Sequence, residues 1–166
     1  MKKFIVSIML LLPLGLVAQE LKIAIVNTNE IFNVMPEVAT MENEVMAMTQ
    51  QYEKEFKIMQ DEYTRKYSDL TAQQDSLTEN IRMMRIQEIQ DIQARIENFY
   101  SMANEARTKK QEEMMVPIRE KIQKAIDQVG EENNYTYILN PGAFLYMSKS
   151  SAIDATDKVK AKLGLK

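Results

Sequence analysis

The sequence predicts an α+β protein: a small β-sheet body from which a long antiparallel α-helical hairpin protrudes. Three observations carry this reading. From Glu37 to Val129 the chain is polar, contains no glycine and holds one proline, Pro117. Within that stretch the apolar residues recur at steps of three and four, which keeps them on one face of a helix. Short blocks rich in β-branched and aromatic residues flank it on both sides. One chain cannot bury so long a hairpin as a globular core, so the arms suit contact with something else.

The N-terminus reads as an export signal. Lys2 and Lys3 precede the apolar run Phe4 to Leu12, and Pro13 and Gly15 break it before Leu16-Val17-Ala18. Cleavage is expected after Ala18. The run is too short for a membrane span, which needs roughly 20 residues, and no cysteine follows to accept a lipid. The expected organisation is residues 1–18 as signal peptide, 19–36 with 130–166 as a β-rich oligomerisation body, and 37–129 as the hairpin.

Each element has its own signal. Leu21 to Val26 (LKIAIV) alternates as a strand, with Leu21, Ile23 and Ile25 on one face and Ala24 and Val26 on the other. Asn27 to Glu30 can cap a short helical turn through Ile31, Phe32 and Val34. Pro36 suits the start of the next helix, where its missing N–H costs little. The outgoing stripe is Val38, Met41, Val45, Met48, Tyr52, Phe56, Met59, Tyr63, Tyr67 and Leu70. Residues 71–76 (TAQQDS) are the most polar window and the expected reversal. The return stripe runs from Ile81 and Met84 through Ile89, Ile92, Ile96 and Phe99 to Ile118, Ile122, Ile126 and Val129. Pro117 is expected to bend or break that helix, and Gly130 to stop it. Residues 135–139 and 143–147, joined by Asn140-Pro141-Gly142, read as a β-hairpin. A last helix over 157–163 is expected, capped by Thr156 or Asp154 and stopped by Gly164.

Composition excludes much. The 24 acids outnumber the 21 lysines and arginines, and signal removal takes away two of the lysines. An acidic chain argues against nucleic-acid binding. With no histidine and no cysteine, Ser-His-Asp triads, thiol nucleophiles and nitrogen or sulfur zinc sites are unavailable. Glu53/Glu55 and Glu112/Glu113 do not converge on one helical face. The expectation is therefore no catalytic residue, no enzyme, no metal and no cofactor. Residues 37–80 carry ten acids against four bases, and residues 81–129 eight acids against nine bases, so the two arms complement one another in charge.

Three stretches bracket the hairpin in order: LKIAIVNTNEIFNVMPE (21–37), NYTYILNPGAFLYM (134–147) and AIDATDKVKAKLGL (152–165). The last holds Asp154, Thr156 and Val159 in an Asp-x-Thr-x-x-Val pattern. In these motifs and their order the chain resembles the Skp/OmpH family of periplasmic chaperones over essentially its whole exported length. The resemblance implies a homotrimer whose strands form a central barrel and whose hairpins are tentacles around a cavity. It further implies ATP-independent holding of unfolded outer-membrane proteins in the periplasm, which prevents their aggregation. The arms depart from the strongly basic tentacles of that pattern, since residues 37–129 total 13 bases and 18 acids. A structural coiled-coil protein of the envelope, anchored or docked to a membrane complex, is the alternative reading, and peripheral membrane contact is a further expectation.

Nine of the 13 methionines lie in the hairpin. Met41, Met48, Met59, Met84 and Met115 fall on the stripes and are expected between the arms. Met46, Met83 and Met102 fall off them and are candidates for client contact, because methionine is flexible and polarizable. Tyr52, Tyr63 and Tyr67 lie on the outgoing stripe, as seam residues or as cavity-lining aromatics; Tyr63 and Tyr67 join the client-binding candidates. Arg107, Lys109 and Lys110 read as a solvated helix face. Ile23, Ile25, Tyr137, Leu139, Phe144 and Tyr146 are candidates for the oligomer interface, with the strand face that meets a neighbour left open.

Overall fold

A computed structural model describes residues 21–146, 148 and 152–165; the expected signal peptide and Met147 lie outside them. Strand β1 (Ile23–Ile25) is followed by helix α1 (Thr28–Asn33) and helix α2 (Pro36–Ala72). Helix α3 (Glu79–Asn133) returns to strand β2 (Tyr137–Leu139), and strand β3 (Ile153–Asp154) and helix α4 (Thr156–Lys162) close the order. The long antiparallel hairpin and the small sheet at its base are both present.

Local chemistry explains the boundaries. The Asn27 side chain accepts a hydrogen bond from the Glu30 N–H and so starts α1. Pro36 occupies the first turn of α2, as its fixed φ favours. Residues 73–78 reverse the chain, within two residues of the expected window. Ala155 holds the N-cap position of α4 with no side-chain cap, and just ahead of it Asp154 Oδ1 accepts from the Thr156 N–H at 2.9 Å. The Thr156 hydroxyl instead accepts from the Asn27 N–H at 3.0 Å, tying α4 to the end of β1. Gly164, at a φ of 74°, follows the last turn.

Three expectations are corrected. First, Gly130 does not end α3. The helix runs to Asn133 and stops where Asn134 adopts the left-handed conformation, its N–H reaching the Gly130 and Glu131 carbonyls. Gly130 instead lies against Ile138, close enough that an added Cβ would sit 3.4 Å from Cδ1. Second, Pro117 does not break α3, which continues through it with packed turns on either side. Third, residues 135–139 and 143–147 form no antiparallel hairpin among the described residues. Asn140-Pro141-Gly142 makes a tight 3₁₀ turn, with Asn140 Oδ1 accepting from the Gly142 N–H at 3.2 Å. The chain then passes on to β3, on the far side of β1.

The sheet has the order β2-β1-β3, and both outer strands run parallel to β1. Ile23, Ala24 and Ile25 pair with Tyr137, Ile138 and Leu139, and Ala24 and Ile25 with Ile153 and Asp154. Parallel neighbours need a crossover between them, and here the whole hairpin is the crossover from β1 to β2.

A single core sits at the base. Ala24 from β1 and Val26 just after it, Ile31 and Met35, Val38 and Met41 from α2, Ile118, Ile122, Ala125 and Val129 from α3, and Ala155 and Val159 close over one another. Farther out, only Ile89 and Ile92 are buried in the arms. Two helices alone cover a narrow seam, so the rest of both stripes stays half exposed.

Candidate functional site

The arms are held by a seam of ion pairs and aromatic contacts. Lys121 pairs with Glu37, Lys110 with Glu44 at 2.8 Å, Arg95 with Glu62 at 3.3 Å, and Lys66 with Glu88 at 2.6 Å. Each step outward on α2 meets a step back on α3, which is the antiparallel register. In three of the four pairs the acid is on α2, as the charge division between the arms anticipates. Lys121 holds the Glu37 carboxyl below its ordinary value by hydrogen bonding, and Glu44 raises the Lys110 ammonium in the same way. Of the basic run, Lys110 serves the seam, while Lys109 pairs with Glu113 and Arg107 donates to Asn104 Oδ1 within α3. Tyr52 meets Phe99 edge to face at 5.7 Å, and Phe56 meets Tyr100 tilted at 6.5 Å.

Between these rings the arms part into an open cleft of about 380 Å³, walled by Tyr52, Phe56, Phe99, Tyr100 and Ala103 with Glu53 and Arg107. A neighbouring groove of about 550 Å³ shares Thr49 and Glu53 with it and is lined by Met41, Val45 and Met46. Together they make an apolar trough along the inner half of the arms. It offers shape-tolerant apolar contact.

The expected site residues fall as follows. Met46 is exposed and lines the trough, while Met83 and Met102 are exposed on α3. Met83 and Met102 are 19 residues apart, about 28 Å along the helix, so the candidates do not converge on one point. Tyr63 is half-buried and stacks on the exposed Tyr67 with ring centres 6.2 Å apart. Met84, expected between the arms, is exposed, whereas Ile89 farther along α3 is buried. Ile58, Tyr100, Ile86 and Val116 are exposed apolar residues that the stripe analysis did not single out, and Ile81, on the expected return stripe, is exposed as well. The signal was present: Ile58-Met59, Phe99-Tyr100 and Met115-Val116 are adjacent apolar doublets. Neighbours on a helix point about 100° apart, so one of each pair must leave the seam.

In the body, Ile23, Ile25, Leu139 and Phe144 are half-buried, and Tyr137 and Tyr146 are exposed. β2 and β3 are both edge strands. No helix among the described residues is long and apolar enough to cross a membrane.

The model of a protein family, Outer membrane protein (OmpH-like), matches residues 22–163. The chain belongs to the OmpH-like family. The match spans both β blocks and the whole hairpin between them. The OmpH-like fold is seen again in a crystal structure from Caulobacter crescentus CB15, described as a candidate outer membrane chaperone (OmpH-like). It superposes with a TM-score of 0.73 at 13% identity, covering 85% of this chain and 82% of that one. At that identity the likeness is one of fold. Comparison with curated proteins gave no significant match.

Proposed function

We propose that this OmpH-like chain is an ATP-independent holdase chaperone of the periplasm, exported by a signal peptide cleaved after Ala18. It binds unfolded outer-membrane proteins and keeps them from aggregating. The observation that carries the reading is the apolar surface left open along both arms, far from the core that makes the fold stable. A monomeric soluble protein rarely leaves large contiguous apolar surface in water unless it meets a partner. Met46, Met83, Met102, Tyr63 and Tyr67 are the proposed client contacts, joined by Met84, Ile58 and Tyr100.

The working form is a homotrimer. Residues 19–36 and 130–166 form the oligomerisation body, and residues 37–129 the arm. Two short edge strands and the exposed Tyr137, Leu145 and Tyr146 supply the surface for neighbouring copies. Ile23, Ile25, Leu139 and Phe144 complete that interface, and the joined strands close into a barrel. Three arms around one client give avidity from weak contacts.

The test is aggregation of a urea-denatured outer-membrane β-barrel on dilution. Near-stoichiometric trimer is expected to suppress light scattering without nucleotide. Scattering unchanged across the titration would overturn the proposal.

A further inference from the structure

The sequence contains no cysteine, histidine or tryptophan, so the thioethers of its 13 methionines are its only sulfur. The structure grades the described methionines by exposure, with Met48, Met59, Met114 and Met115 half-buried between two extremes. Met35 and Met41 are buried in the core of the body at 2% and 4% exposure. Met46, Met83, Met84 and Met102 are exposed at 56, 62, 63 and 50%, all on the arms. Met83 and Met84 lie with Ile81 and Ile86 in the first turns of α3, an apolar collar near the tip. None of the four belongs to the cluster that holds the body together.

We propose that these four methionines are a reversible oxidation site, and that their conversion to sulfoxide by a peroxide weakens the arms' grip on apolar clients. The functional half rests on the holdase reading; the modification itself does not. In the step, the thioether sulfur attacks the terminal peroxide oxygen. The S–O bond forms as the O–O bond breaks, sulfur gives up two electrons, and hydrogen peroxide leaves as water. The product is polar and chiral where the side chain had been flexible and apolar. Because the exposed thioethers lie outside the core, the fold survives their oxidation. Met35 and Met41 are shielded by Ile31, Val38 and Ile118, so they react last. A thiol-dependent methionine sulfoxide reductase reverses the change, taking the oxygen to water with two thiol electrons.

The experiment treats the mature protein with dilute hydrogen peroxide and follows each methionine-containing peptide by mass spectrometry. Met46, Met83, Met84 and Met102 are expected to gain oxygen first and Met35 and Met41 last, with helical circular dichroism unchanged. About tenfold more oxidised protein is then needed to hold the same denatured client, and reductase treatment restores the original dose. In the variant M46L/M83L/M84L/M102L, holding is the same before and after peroxide whatever its starting level. Replacing Met35 and Met41 with leucine gives no such protection. Oxidation that ignores exposure, or oxidised arms that hold clients undiminished, overturns the proposal. If the untreated protein holds no client, the holdase reading fails. The oxidation site is then judged on the order of reaction and on loss of anilinonaphthalenesulfonate fluorescence from the arms.

Discussion

Asp154 is the clearest case of one side chain fixing a local structure. Hydrogen bonding by Thr156 holds its carboxyl below its ordinary value. A carboxyl depressed in the folded state contributes stability above the unfolded pKa and loses it as pH falls through the folded pKa. Asp154→Ala is expected to lower stability by about 0.5–1 kcal/mol at neutral pH, the range for one lost hydrogen bond at an exposed position. In thermal melts the gap between wild type and variant should close in acid; a constant gap would refute the assignment. Gly130 makes the opposite point. It sits in a helix interior where alanine is favoured by up to about 1 kcal/mol. A Cβ at this position would meet only the terminal methyl of Ile138, at 3.4 Å. Gly130→Ala is therefore expected to raise the melting temperature, and a fall would mean that Ile138 cannot yield. The sequence shows glycine's propensity to stop a helix, but Gly130 does not act as one. The deciding contacts come from Asn134 and from β2.

At the level of elements, the arms are stabilised unevenly. Ile92 is 3% exposed, whereas Met84, in the same helix and on the same expected stripe, is 63% exposed. Ile92→Ala should cost about 2–4 kcal/mol, while Met84→Ala should stay within about 0.5 kcal/mol. Chemical denaturation separates the two, and hydrogen exchange should show the Ile92 change loosening residues 56–70 together with 85–96. Exposed ion pairs are individually weak, so the cross-arm pairs set register more than they add stability. The stripes, the reversal and the charge complementarity were all readable from residue spacing. The parallel sheet was not. A turn signal such as Asn140-Pro141-Gly142 fixes a change of direction, but not which strand edge the chain meets next.

For the whole molecule, the separation of a packed base from open arms leads to a direct test. Shortening the hairpin by replacing residues 52–103 with a tight turn leaves every residue of the core cluster in place. The shortened chain is expected to fold and to keep the oligomeric mass of the full chain by light scattering, while losing its ability to hold a denatured client. Loss of assembly in this variant would place the oligomer contacts in the arms and not in the body.

Residue order alone dictates the helical hairpin, its length, its turn and the two β blocks at its base. These follow from local periodicity, capping and turn chemistry, which act over a few residues. Composition alone also removes thiol and imidazole chemistry. Tertiary packing settles which apolar residues are buried, how the strands are ordered and where the methionines meet water. Those outcomes depend on contacts between residues far apart in the chain. Ile89 and Met84 look alike along the stripe, and only the line where α2 and α3 touch buries one and leaves the other exposed.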